Sequence, residues 1–233
     1  STLFPYTTLF RSPYRGPAMT LGALPWFLLS YLVGAIPTSY LAGKLFRGID
    51  LREHGSKNLG ATNVYRVLGW KIALPVALFD IAKGAVPVLF FAPQVSDSLV
   101  VALLMGLAAM LGHVFSVFVR FKGGKGVATA AGVMLGLTPA AVGISLAVWL
   151  VAVFTTGYVS LGSMLGAAVL PPAVWLMYPG RRDLAWLSLI IAAAIIWFHR
   201  ANIKRLLNGT ENRFGRRRDR KSTRLNSSHP YRS

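Results

Sequence analysis

The sequence predicts an all-α fold: a polytopic membrane helix bundle of about seven transmembrane helices. Three observations carry this expectation. Of 233 residues, 54% are hydrophobic and 14% charged, whereas soluble domains carry about 25% charged residues. The mean hydropathy is +0.53. Apolar stretches long enough to cross a bilayer, about 20 residues each, recur along the chain. The composition excludes disordered and collagen-like chains, and the absence of cysteine removes disulfides, thiolate metal sites and cysteine nucleophiles.

The first apolar stretch is 21–46 and the second 72–92, ending at Ala92-Pro93. The third covers about 98–119. Residues 127–154 are apolar over 28 positions, too long for one untilted span. Thr138 precedes Pro139, and a residue before proline is disfavoured in helix, so a break is expected there. The half 127–137 is short and borrows from 122–126. Residues 159–178 and 184–200 follow, the latter ending in the interfacial pair Trp197 and Phe198. No repeat and no Gly/Ser- or Pro-rich linker divides the chain.

The formal charge is +18. Residues 1–18 contribute +2, 216–233 contribute +6, and 19–215 carry the remaining +10. STLFPYTTLFRS (1–12) and DRKSTRLNSSHPYRS (219–233) resemble translated sequencing-adapter read-through, so 1–18 and 216–233 are expected to be non-native, with the native start near Met19. Within 19–215 the basic residues cluster: five in 47–71, three in 120–125 and four in 200–213, against only Asp97 in the loop 93–97. The bias of basic loops towards the cytoplasm puts the three rich segments inside. That requires an odd number of crossings, which the break at Thr138-Pro139 supplies.

Three polar segments therefore share one face. In the first, Gly55-Ser56-Lys57-Asn58-Leu59-Gly60-Ala61-Thr62-Asn63-Val64-Tyr65-Arg66, glycines let backbone amides approach a ligand, Ser56 and Thr62 can donate, and Arg66 can grip a phosphate bidentately. A turn followed by a helix cap explains the same residue types. In the second, Phe121-Lys122-Gly123-Gly124-Lys125-Gly126 opens into the helical run Val127-Ala128-Thr129. A glycine-rich turn at a helix N-terminus offers unpaired amides and a positive dipole end to an anion. It is not the nucleotide P-loop, because Gly126 stands where Ser or Thr belongs after the lysine. In the third, His199 and Asn202 share a helix face at i, i+3, and histidine titrates near neutrality. Capping of the last membrane turn is the plainer role for this His.

Elsewhere, His113 reads as a buried helix-end residue and His54 as a surface one. Asp80 and Lys83, at i, i+3 inside the second span, are expected to neutralise each other, with lining of a substrate path as the alternative. The four histidines are scattered with no i, i+4 pair, so no metal site is expected. Neither a His-x-x-x-x-Asp pair nor a G-x-S-x-G elbow is present. The constellation suits a substrate anionic at one end and apolar at the other. A small organic-phosphate transporter is the competing class, although it would call for more charges midway along the spans.

GSKNLGATNVYRVLG, GHVFSVFVRFKGGKGVAT and HRANIKRLLNGTE resemble, in this order, the three signature motifs of the bacterial acyl-phosphate:glycerol-3-phosphate acyltransferase family. The similarity spans about residues 20–213. The resemblance implies an inner-membrane enzyme, active face cytoplasmic, that moves a fatty acyl group from acyl phosphate to the 1-hydroxyl of glycerol 3-phosphate. Lysophosphatidic acid and phosphate result, opening phospholipid synthesis. It implies no cofactor, no metal and no nucleic acid, with membrane lipids as surroundings. A monomer is expected, at most weakly coupled to the enzyme that makes acyl phosphate.

By this similarity His199, Asn202, Ser56, Arg66 and Lys125 are the candidate catalytic residues. Asn58, Gly60, Thr62, Asn63, Lys122, Gly123, Gly124, Gly126 and Thr129 are the candidate substrate-binding ones. Which motif holds which phosphate stays open. The acyl chain would lie between helices near the Gly- and Ala-rich stretch 162–168, and Glu211 would fix the tail through Lys204 or Arg205. Two departures from the family pattern stand out: Lys57 where glycine is usual, and Ser116 where proline is frequent.

Overall fold

The structure, a computed structural model, describes residues 21–214; the terminal segments expected to be non-native lie outside the described residues. Within them all regular structure is helical. Ten α-helices occur: α1 (Leu24–Ala35), α2 (Thr38–Arg47), α3 (Ala61–Leu68), α4 (Trp70–Val86), α5 (Leu99–Val114), α6 (Val127–Leu137), α7 (Pro139–Thr156), α8 (Val159–Met177), α9 (Arg182–Phe198) and α10 (Arg200–Leu207).

Among the described residues four helical stretches are long and apolar enough to cross a membrane. Two bent pairs, α1 with α2 (41°) and α9 with α10 (55°), could each serve as one more. The short apolar helix α6 is the remaining apolar segment. The expected break at Thr138-Pro139 is present, with Pro139 opening α7 at its first position, where a missing N–H costs nothing. The first span is not continuous. Ile36 takes an extended ψ of 114° ahead of Pro37 and separates α1 from α2, the same steric rule that acts at Thr138. Beyond α4, Pro87 opens a wider π-type turn, Pro87–Phe91, since proline offers no donor to the ladder before it.

Helices pack where side chains are small. α1 crosses α5 and α4 crosses α6. At the first crossing a Cβ on Gly34 would collide with the Ala109 carbonyl and one on Gly112 with the Tyr31 carbonyl. At the second, Gly84 abuts the Thr129 carbonyl and Gly132 that of Ile81. Lipid gives little hydrophobic drive between helices, so close backbone approach through small residues supplies the cohesion. The main core gathers Met105, Val133, Met134, Val174, Leu184 and Ile191. Outward-facing Leu78, Phe90, Phe154, Trp175, Leu176 and Trp186 are more than half exposed, as a lipid-facing belt requires. This is a multi-pass membrane protein. Its polar loops 48–60 and 115–126 and the tail 208–214 meet at one end of the bundle.

Candidate active site

The three polar segments touch one another. The loop before α3 meets the glycine turn at Gly124, whose missing Cβ would collide with the Leu59 carbonyl and with His113 Nε2. The turn meets the α9–α10 corner where Lys125 Nζ hydrogen-bonds Asn202 Oδ1. The tail closes the ring: Arg66 Nη2 donates to the Asn212 carbonyl (3.4 Å), and Tyr65 stacks on Phe214 with ring centroids 4.5 Å apart.

The loop 50–60 is ordered from inside by Asn63, which is 1% exposed. Its Nδ2 donates to the carbonyls of Leu51 (3.0 Å) and His54 (3.0 Å), and its Oδ1 accepts from the Ser56 amide (2.8 Å). This wiring makes Asn63 an organiser of the loop that presents Ser56 and Asn58. Gly60, extended at φ −158°, is the N-cap of α3, which has no side-chain cap; Thr62 follows in the first turn. Lys57 has φ +60°. A side chain in the left-handed region costs about 1–2 kcal/mol, which is a physical reason for glycine at this turn position.

The glycine turn differs in detail from a free amide cradle. Gly123 N–H donates to Val114 O (3.0 Å) and Gly124 N–H to His113 O (3.2 Å), so both amides are taken up in docking the turn onto α5. Unpaired amides remain where α6 opens, from Val127 to Thr129, behind Gly126 at φ +79°. Thr129 itself is fully buried at the α4 crossing, and its hydroxyl has no partner. The two lysines diverge. Lys125 turns inward to Asn202, while Lys122 lines an open cleft of about 420 Å³ with Tyr40, Arg52, Phe118, Val119 and Arg120.

His199 sits at the α9–α10 corner, 4% exposed. Its Nδ1 lies 2.8 Å from the Ile195 carbonyl. A carbonyl only accepts, so Nδ1 carries the proton and Nε2 is left with its lone pair when the ring is neutral. The capping role and an available ring nitrogen thus coexist. Asn202, 6% exposed, donates from Nδ2 to Glu211 Oε1 (2.7 Å). Glu211 also accepts from Ser160 Oγ (2.9 Å) and, through Oε2, from Arg205 Nε (2.6 Å). The expected tie between Glu211 and Arg205 is present. Ser160, in the first turn of α8, is a member that sequence reasoning missed; one hydroxyl in an apolar helix gave no signal.

The cluster is basic: Lys125, Arg66 and Arg205 stand within electrostatic range of one another, with Glu211 as counter-charge. Burial, reinforced by Arg205, pulls the Lys125 ammonium down to about 8. Burial likewise lowers the Arg66 guanidinium below its ordinary value. For Glu211, burial pushes the carboxyl up, but hydrogen bonds from Asn202, Arg205 and Ser160 outweigh it and hold it low. A group of half-buried cations short of counter-charge is suited to a phosphate. Among the described residues no group of three His, Asp or Glu side chains could hold a metal ion.

An apolar helical bundle with one basic, imidazole-bearing rim defines a class: integral membrane enzymes that work on phosphorylated molecules at the bilayer surface. The glycerol-3-phosphate acyltransferase family profile matches residues 24–209. Curated relatives named glycerol-3-phosphate acyltransferase are 44% identical in Chlorobaculum parvum, over 81% of this chain and 96% of that one. The relative in Trichlorobacter lovleyi is 47% identical over 84% and 99%. The crystal structure of PlsY (YgiH), an integral membrane glycerol 3-phosphate acyltransferase, in its glycerol 3-phosphate form matches at TM-score 0.77 and 40% identity, covering 83% of this chain and 96% of that one. Its lysophosphatidic acid form matches at 0.75 and 39%. The chain belongs to the glycerol-3-phosphate acyltransferase family.

Proposed function

We infer that this enzyme acylates the 1-hydroxyl of glycerol 3-phosphate with acyl phosphate as donor, at the cytoplasmic face of a bacterial inner membrane, and that residues 19–215 suffice for it. The observation that carries the reading is the junction of Lys125, Asn202, Arg66 and His199 at one rim. The related PlsY forms holding glycerol 3-phosphate and lysophosphatidic acid support the acceptor and product.

Acyl phosphate is a mixed anhydride with a good leaving group, so the reaction needs positioning and charge neutralisation more than a covalent nucleophile. Lys125 and the amides opening α6 take one phosphate; Arg66, with Ser56 and Asn58 on the loop that Asn63 orders, takes the other. The 1-hydroxyl attacks the acyl carbonyl carbon. The bond from that carbon to the bridging oxygen breaks, and phosphate departs with the electron pair. The hydroxyl proton passes to His199 Nε2, whose partner nitrogen is fixed by Ile195. Asn202, held between Lys125 and Glu211, keeps the ammonium aimed at the phosphate. Lys122, in its separate cleft, serves the approach of an anionic headgroup.

Purified protein given acyl phosphate and labelled glycerol 3-phosphate should form lysophosphatidate, and the His199→Gln variant should lose about 100-fold in kcat. Product formed from acyl-CoA or acyl carrier protein but not from acyl phosphate would contradict the donor. Glycerol 3-phosphate uptake into liposomes without product would favour a transporter.

A further inference from the structure

A buried polar network lies inside the bundle, below the rim, and has no part in the steps above. Asp80 and Lys83 are 1% and 2% exposed, and Lys83 Nζ lies 2.7 Å from Asp80 Oδ1. Withdrawing an ion pair from water costs several kcal/mol per charge, and apolar residues of similar volume usually replace one without loss of stability. Packing alone therefore gives no reason for these two charges.

What they grip is specific. From α4 they reach the break between α1 and α2: Lys83 Nζ donates to the Ile36 carbonyl (2.9 Å) and Thr38 Oγ1 donates to Asp80 Oδ1 (2.7 Å). On the other side, His113 Nδ1 stands 3.8 Å from the same Asp80 oxygen. His113 is also the floor of the glycine turn. Its carbonyl accepts the Gly124 amide, and its Nε2 occupies the space a Gly124 Cβ would need. Lys125, the next residue, meets Asn202. A continuous line of contacts thus runs from an ion pair inside the membrane, through one imidazole, to the cation at the rim.

We propose that Asp80, Lys83 and His113 are positioning residues for the acyl transfer: they set the height and tilt of the Gly123–Lys125 turn, and so the geometry in which Lys125 meets a phosphate. The proposal rests on the reading of Lys125 as a phosphate ligand. The charges hold a shape that apolar substitutes of equal volume would leave loose by fractions of an ångström. Small misplacements of this kind cost rate and affinity without unfolding a protein.

The test uses the full chain in lipid nanodiscs, with three readouts: thermal midpoint, steady-state kinetics, and inorganic phosphate binding by calorimetry. The double variant Asp80→Leu/Lys83→Met removes both charges together and leaves neither alone in the membrane. It should keep the parental midpoint within a few degrees while the KM for glycerol 3-phosphate and the Kd for phosphate each rise about tenfold. The conservative His113→Gln variant, which keeps a side-chain amide near Asp80, should lie between the parent and His113→Leu in both constants. If the double variant does not fold, Thr38→Val removes a single hydroxyl bond to Asp80, and a rise of about threefold in both constants at an unchanged midpoint is expected. KM and Kd within 1.5-fold of the parent, in whichever of these variants folds, would overturn the proposal; so would a change in midpoint alone. Phosphate binding by the unaltered protein without turnover would contradict the acyl-transfer reading only, and the Kd comparison would still decide the network.

Discussion

Replacing Glu211 by glutamine separates the charge of this residue from its shape. The Glu211 side chain is 2% exposed and Arg205 35%, and three donors converge on two carboxylate oxygens, from Asn202, Ser160 and Arg205. Glutamine has one acceptor oxygen. In its better orientation that oxygen keeps Asn202 and Ser160, and the amide nitrogen then faces Arg205 Nε, donor against donor. The loss is one charge-assisted hydrogen bond, about 1.5–3 kcal/mol when buried. The partial exposure of Arg205 screens it towards the lower end. About 2 kcal/mol corresponds to roughly a 30-fold rise in opening of the tail. The Phe214 amide, bonded to the Gly157 carbonyl (2.6 Å) where the tail lies over the α7–α8 turn, reports that opening by hydrogen exchange. Its exchange should quicken by about that factor, and kcat/KM should fall to the extent that the open tail becomes populated, because Asn202 and Arg66 both depend on the tail. Because the Glu211 carboxyl is held below its ordinary value of 4.5, its contribution is present above that pH and lost as the pH falls through the lowered value. The glutamine variant should lack this acid step. Unchanged Phe214 exchange together with unchanged kcat/KM would show that Glu211 does not hold the tail.

Other consequences are equally concrete. With Lys125 titrating near pH 8, phosphate affinity of the free enzyme should fall about tenfold for each pH unit above 8, and Lys125→Arg should abolish that slope; a slope surviving in the arginine variant would place the titration elsewhere. Lys57→Gly should relieve a left-handed residue, worth about 1–2 kcal/mol. Added unfolded-state freedom removes about half of that, so a stability gain of about 0.5–1 kcal/mol is expected, read as a higher thermal midpoint, and a lower midpoint would count against strain at this position. Gly124→Ala introduces a Cβ into the Leu59 carbonyl and His113 Nε2. It should raise the KM for glycerol 3-phosphate at least tenfold, or prevent folding, and wild-type kinetics would show that the turn is not held as described.

Much of this architecture was legible in the sequence where physics acts locally. The break at Thr138-Pro139 and the Asp80–Lys83 pair follow from neighbouring residues alone. The same proline rule applied at Ile36-Pro37 would have divided the first span, but the unbroken apolarity of 21–46 masked it. The site was legible as three segments and illegible as contacts. The stack of Tyr65 on Phe214, the carboxylate partner Ser160 and the divergence of Lys122 from Lys125 join residues remote in the chain. No local pattern encodes them. Loop amides expected to be free proved to be taken by α5, since a glycine turn serves close docking as readily as anion binding.

Arg66 and Lys125 come from segments 59 positions apart, and their joint service to one reaction is best measured by a double-mutant cycle on kcat/KM with acyl phosphate and glycerol 3-phosphate. Residues acting on one bound assembly are strongly non-additive. Arg66→Ala and Lys125→Ala should each cost about 100-fold, and the pair far less than the product of the two. Single losses within twofold of the parent, or losses that multiply as if independent, would mean that the rim does not act as one site.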